Sequence, residues 1–358
     1  MTRAHNFSAG PAVLPLSVIE ELADALPNFQ GTGLGLMELS HRSPTFDGVH
    51  RSAEQRLRRV LGIPEEFEVL FLQGGASLQF HMTALNLLKE GESADFIVTG
   101  TWSEKAVAEA QRVRGGRVAW EAKATNYDRL PESVDVDSGA VYAAYTTNNT
   151  IYGTQFKAPP AVGDTPLVAD MSSDIASGPI DVSAHGLIYA GAQKNLGPSG
   201  VTAVILSPWA MSKAPGDLSP MLDYRLQVAK RGMFNTPNTF GIYALERVLA
   251  WVEDMGGMES MAARNQGKAD ALYAEIDRTD FWSGHAQSSC RSNMNVTFRT
   301  PSPELDALFL AEADGANLKG LKGHRSVGGL RASIYNACSP ESVDALVSFM
   351  RDFEAARG

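Results

Sequence analysis

The sequence predicts an α/β protein in which a mostly parallel, helix-covered sheet is followed by a smaller α+β lobe. Three observations carry this reading. Seven short apolar runs, at 69–72, 96–98, 118–120, 140–145, 167–169, 187–189 and 201–206, are interleaved with stretches of helical period. Short buried strands alternating with helices are the pattern of a parallel sheet covered on both faces. Beyond residue 265 the strand-like runs thin out to 294–298 and 330–334, with helices expected at 304–313 and 340–355. A chain of 358 residues is also long enough for one large domain and a smaller companion. We therefore expect an arm over 1–15, a large domain over 16–264 and a small domain over 265–358.

In chain order, residues 6–15 crowd Gly10, Pro11 and Pro15 together and read as an irregular arm. Helical periodicity follows at Val18, Ile19, Leu22 and Ala23, and again over 46–61, where charged residues fill the opposite face. The strand at 69–72 ends in Gly74-Gly75 and leads to a helix over 78–89. The strand at 96–98 leads to a helix over 103–114. Helix-period stretches at 242–252 and 258–276 close the strand-rich region.

Composition excludes several functions. Hydrophobic content of 44% and charged content of 20% are ordinary for a globular protein. A net charge of −10 opposes sequence-independent binding of nucleic acid, which needs a basic field over the phosphates. Two cysteines, Cys290 and Cys338, form no paired motif, so neither a disulfide framework nor a Cys-based zinc site is expected. The seven histidines offer no metalloprotease pairing, and no metal is expected. The N-terminal residues lack the apolar stretch of a signal peptide, and no apolar run approaches a membrane span; a cytoplasmic protein is expected. Gly31-Thr-Gly33-Leu-Gly35 follows no strand and misplaces its third glycine for a dinucleotide fingerprint. Gly197-Pro-Ser199-Gly200 lacks the spacing of a nucleophile elbow.

Three other segments combine. Lys194 stands just after the run at 187–189, among small residues and before the turn Gly197-Pro198. Asp170 ends the run at 167–169, at the strand edge where open α/β sheets carry their ligand-binding residues. Lys194 follows it by 24 residues. Gly74-Gly-Ala-Ser77 lies between a strand and a helix, where backbone N–H groups and the Ser77 hydroxyl can hold a phosphate. A lysine for a Schiff base, a carboxylate for a pyridine nitrogen and a phosphate anchor are what pyridoxal phosphate requires. Each segment alone reads as well as a loop lysine, a capping aspartate and an ordinary turn.

The ordered set Phe7-Ser-Ala-Gly-Pro11, Ser40-His-Arg42, Gly74-Gly-Ala-Ser77, Asp170-Met-Ser-Ser173, Gly191-Ala-Gln-Lys194-Asn, Asn235-Thr236-Pro237 and Leu321 to Asn336 resembles the class V aminotransferases. The likeness is to those that act on phosphorylated amino acids, and it spans nearly the whole chain. It implies the type I fold of pyridoxal-phosphate-dependent transferases, with a seven-stranded sheet in the large domain. It implies Lys194 as the Schiff-base lysine and Asp170 as the partner of the pyridine nitrogen. Ala76, Ser77 and Gln193 would hold the cofactor phosphate, Trp102 would stack on the ring and Thr150 would bond its 3-oxygen. Asn235 and Thr236 would reach the phosphate from the partner subunit of a homodimer with shared sites. Arg331 would grip the substrate α-carboxylate, and His41, Arg42, His324 and Arg325 its distal phosphate or carboxylate. Ser77 stands where some members carry arginine. The reaction implied is amino transfer from glutamate to 3-phosphohydroxypyruvate in serine biosynthesis, with a side reaction on 4-phosphohydroxy-L-threonine in pyridoxine biosynthesis. The nearest alternative is a class V enzyme using serine or alanine with glyoxylate.

Overall fold

The computed structural model describes residues 3–358. In chain order its elements are β1 (His5–Asn6), α1 (Leu16–Ala25), α2 (Pro44–Leu61), β2 (Glu68–Leu72), α3 (Gly75–Leu87), β3 (Ala94–Val98), α4 (Thr101–Val113) and β4 (Gly116–Glu121). Next come β5 (Ala143–Thr146), β6 (Leu167–Asp170), β7 (His185–Gly191), β8 (Thr202–Leu206), α5 (Pro208–Lys213), α6 (Tyr224–Ala229), α7 (Thr239–Asp254) and α8 (Gly257–Ile276). The chain ends with β9 (Ser283–Gly284), β10 (Asn295–Arg299), α9 (Pro303–Gly315), β11 (Leu318–Lys319), β12 (Leu330–Ser333) and α10 (Pro340–Arg357).

Local chemistry sets many of these boundaries. Helices α2, α5, α9 and α10 all begin with Ser-Pro: the serine side chain accepts from a first-turn amide, and proline occupies the first helical position. This moves the start of α2 to Pro44, ahead of the first apolar residue of its periodic face. Gly62, at φ 64°, ends α2 in the left-handed conformation that glycine adopts without strain. The strand expected at 140–145 begins only at Ala143, because Asp137 to Gly139 form a turn held by the Asp137 carboxylate on the Gly139 amide at 2.7 Å.

Seven strands form the central sheet in the order β2-β8-β7-β6-β5-β3-β4. The pairs β3–β4, β3–β5, β5–β6 and β6–β7 are parallel, whereas β8 is antiparallel to both β7 and β2. The sheet is therefore mixed through one reversed strand. The reason is length: ten residues separate Gly191 from Thr202, too few for a parallel crossover, so the chain returns as a hairpin. Lys194 lies in that hairpin loop.

Alternate residues of each strand feed two cores. Phe71, Ile97, Ala169, Ile188 and Ile205 pack under α2 and α7. Leu70, Phe96, Val168, Leu187 and Val204 pack under α3 and α4. Each fully buried side chain of this size contributes about 1.5–3 kcal/mol. A third core, containing Leu272, Trp282, Phe298, Phe309 and Phe353, surrounds the sheet β12-β10-β9 and also takes in Phe7 from the arm. The arm is thus not wholly irregular, for β1 pairs in parallel with β11. Helix α8 runs unbroken through residue 265; Met258 and Met261 join the first core, and Leu272 and Ile276 the third. Among the described residues no helix is long and apolar enough to cross a membrane.

Candidate active site

A cavity opens at the carboxyl ends of β5 and β6, and the hairpin loop after β7 folds over it. Its walls include Ala76, Ser77, Trp102, Thr150, Asp170, Gln193 and Lys194. Seven of the sequence-predicted residues thus meet in one place, drawn from two helix starts, one strand end and two loops. The parallel strands bring them together, since all release their loops at the same edge.

Lys194 Nζ donates to Thr150 Oγ1 at 2.6 Å. Burial pulls the amine down to about 8 despite the opposing charge of Asp170, and the Arg331 charge adds to the fall. Asp170 is buried at the end of β6, and its Oδ1 accepts from the Ser172 amide at 3.0 Å. Burial raises its pKa against the pull of Ser172 and Lys194. Such a carboxylate favours a cationic N–H partner within the cavity.

Gly74, at φ 91°, turns the chain from β2 into α3, leaving the first-turn amides of Ala76 and Ser77 without backbone partners at the positive end of the helix dipole. A Cβ at Gly74 would lie 2.4 Å from Leu78 Cδ2, so only glycine fits this turn. Trp102 stands in the first turn of α4, and its buried Nε1 has no partner. Arg331, on β12, donates from Nη1 to the Thr150 carbonyl at 3.0 Å, while its buried Nε has none. His324 belongs to the same surroundings: partial burial lowers its pKa, and the charges of Arg331, Arg325 and Lys105 lower it further.

The remaining predicted residues stand apart. Arg42 is exposed, and no hydrogen bond or ion pair among the described residues joins His41 or Arg42 to Lys194, Arg331 or the His324–Arg325 pair. Asn235 and Thr236 are exposed, although the Thr236 carbonyl accepts from Gln73 Nε2 at 3.0 Å, one residue before the Gly74 turn.

Other contributors carried no assigned role in the sequence. The arm lies against the lysine: a Cβ on Gly10 would stand 3.5 Å from Lys194 Cγ, and the Ala12 amide donates to the Gln193 carbonyl at 2.9 Å. Tyr335 Oη holds the arm by donating to the Ala9 carbonyl at 2.8 Å. Thr146, Asn148, Ser172 and Ser173 complete the cavity wall. The first and last of these segments lay within matched motifs, but nothing in their spacing revealed that they touch.

A buried carboxylate, unpaired first-turn amides, an orphaned guanidinium nitrogen and a lysine with a lowered pKa fit pyridoxal phosphate. Comparison with known proteins agrees. The family model for aminotransferase class-V matches residues 4–346, and the chain belongs to that family. Within it, the phosphoserine aminotransferase of Geobacillus kaustophilus is 52% identical, over 99% of this chain and 99% of its own. The crystallised phosphoserine aminotransferase of Bacillus circulans subsp. alkalophilus superposes with a TM-score of 0.97 at 47% identity, covering 99% of each chain. The PLP-bound phosphoserine aminotransferase of Trichomonas vaginalis superposes with a TM-score of 0.93 at 38% identity, covering 98% of this chain and 100% of the other.

Proposed function

We propose that this chain transfers the amino group of glutamate to 3-phosphohydroxypyruvate, yielding 2-oxoglutarate and O-phospho-L-serine in L-serine biosynthesis. The same site chemistry extends to 4-phosphohydroxy-L-threonine of pyridoxine biosynthesis. The observation that carries the reading is the convergence of Lys194, Asp170 and the α3 N-terminus on one cavity, with Arg331 beside it. The full-length likeness to enzymes named phosphoserine aminotransferase supports the choice of substrate.

Pyridoxal phosphate, when bound, supplies an aldehyde and an electron-accepting ring. Lys194 Nζ, with its pKa near 8, is partly uncharged near neutrality and able to attack a carbonyl. Once displaced by substrate, the same amine can carry a proton from the substrate α-carbon. Asp170 would pair with the pyridine nitrogen and keep it protonated. Ala76, Ser77 and Gln193 would hold the phosphate, Trp102 would stack on the ring and Thr150 would bond the 3-oxygen. Arg331 spends Nη1 on the Thr150 carbonyl, which fixes the guanidinium and leaves Nε and Nη2 for the substrate carboxylate. His324 and Arg325 would meet the distal phosphate.

We assign the exposed segments to a homodimer in which Asn235 and Thr236 reach the partner's cofactor phosphate, and His41 and Arg42 the partner's substrate. Apolar surface flanks both: Met37 is 67% exposed and Phe234 39%. The arm, large domain and small domain divide at residues 15 and 264, and the protein works in the cytoplasm.

Two measurements test the reading together. Purified protein should be yellow, with the band absent in Lys194→Ala; an unchanged spectrum would reject the lysine assignment. Glutamate-dependent amination of phosphohydroxypyruvate should outpace that of glyoxylate, and equal rates would reject the phosphate-directed site.

A further inference from the structure

A second cavity, of about 640 Å³, lies behind the first. Tyr145 and Thr147 line it, whereas Thr146 and Asn148 line the first, as expected for side chains alternating across a strand and its extension. Its outer wall is α8, from Ala262 to Gln266. Its volume falls in the range of small-molecule sites.

Three charged groups line this cavity without an ion pair among the described residues: Lys157, Asp174 and, at the exposed rim, Asp181, whose carboxylate accepts from the Ser183 amide. Lys157 Nζ donates to Gln155 Oε1 and Asn293 Oδ1, each at 2.9 Å and both neutral. Asp174 accepts from the Thr147 hydroxyl and, at 3.2 Å, from Gln155 Nε2. Burial raises the Asp174 pKa to about 6, which reflects the cost of keeping that acid unpaired; Lys157 is exposed, and partial desolvation of its amine lowers its pKa against the pull of Asp174. One amide, that of Gln155, therefore separates an unpaired cation from an unpaired acid. Beside them the Asn265 side chain, 1% exposed, donates to Ser177 O and Asn336 Oδ1, while its Oδ1 accepts nothing. Met171, Pro179 and Ile180 form an apolar wall.

We propose that this cavity binds a free α-amino acid as its zwitterion. The carboxylate pairs with Lys157, the ammonium with Asp174 and the Asn265 carbonyl, and the side chain rests on the apolar wall. A dication would bring like charge to Lys157, and a dianion would bring it to Asp174; a ligand with both signs about one amide length apart satisfies the two together. The inference does not depend on which amino acid the first site transforms.

Calorimetric titration of the cofactor-loaded protein with glycine, L-serine and L-methionine tests it. At least one should bind saturably in the millimolar range. Lys157→Gln should weaken that binding by about tenfold or more while leaving the amination rate unchanged. Putrescine and succinate should bind more weakly to the unaltered protein. The proposal fails if none of the three amino acids binds, if binding persists in Lys157→Gln, or if either control binds as tightly. Should Lys157→Gln misfold, the near-isosteric Asp174→Asn must weaken the same heat, and an undiminished heat there overturns the site.

Discussion

Burial holds the Lys194 amine near pH 8, against the pull of Asp170, where an ordinary lysine would titrate at 10.5. The uncharged amine predominates above that value, so recombination of the cofactor-free protein with pyridoxal phosphate should accelerate with an inflection near pH 8. An inflection near 10 would show that desolvation is not acting on this lysine. Arg331 supports a second expectation. Because Nη1 is anchored on the Thr150 carbonyl, Arg331→Lys keeps the charge but loses the fork that matches a carboxylate. KM for glutamate should rise by about 10- to 100-fold, roughly 1.4–3 kcal/mol, with kcat less affected; an unchanged KM would remove Arg331 from the carboxylate. At this scale the sequence was informative. Asp170 and Lys194 were legible because each stands where an apolar run stops. The approach of Gly10 to Lys194 was not, because it depends on the arm folding back across more than half the chain.

Among the elements, α2 and α7 depend on one buried acid. Glu246 accepts from Ser52 Oγ at 2.8 Å and Arg56 Nε at 2.7 Å, and Arg247 embraces it from the next position. Burial alone would raise its pKa, but Arg247, Ser52 and Arg56 outweigh that and the net shift is downward. A carboxyl lowered in the folded state contributes stability above its unfolded pKa of about 4.3, and loses it as pH falls through the lower folded value. Glu246→Ala should therefore cost roughly 2–3 kcal/mol at neutral pH, less than a fully buried pair, because both arginines retain access to water. It should also flatten the acid limb of the stability curve; urea unfolding at pH 7 and pH 3.5 would reveal either outcome. The helices themselves were readable from apolar period, whereas their Ser-Pro starts emerged only with the structure, because the capping residues precede the first apolar position of each face. The short pieces α5, α6, β9 and β11 were not. Each is six residues or fewer, too short to display a period, and is held by its neighbours.

For the whole molecule, the exposed Asn235–Thr236 loop makes a prediction that no single chain can satisfy. Lys194→Ala and an Asn235→Ala/Thr236→Val double variant should each be nearly inactive. Mixed and reassembled, they should recover about a quarter of the unaltered activity, because half of random dimers are hybrids and each hybrid has one intact site. No recovery on mixing would mean that each chain completes its own site. By itself, the sequence determined the order in which strands and helices follow and marked out the candidates for the chemistry, because apolar period, cap residues and turn glycines act over a few neighbours. Only the tertiary structure decided that β8 runs against its neighbours, that the arm joins the third core and lies on Lys194, and that Lys157 and Asp174 face a common cavity. These outcomes rest on contacts between residues far apart in sequence, where burial and pairing are set by the packed whole and no local pattern records them.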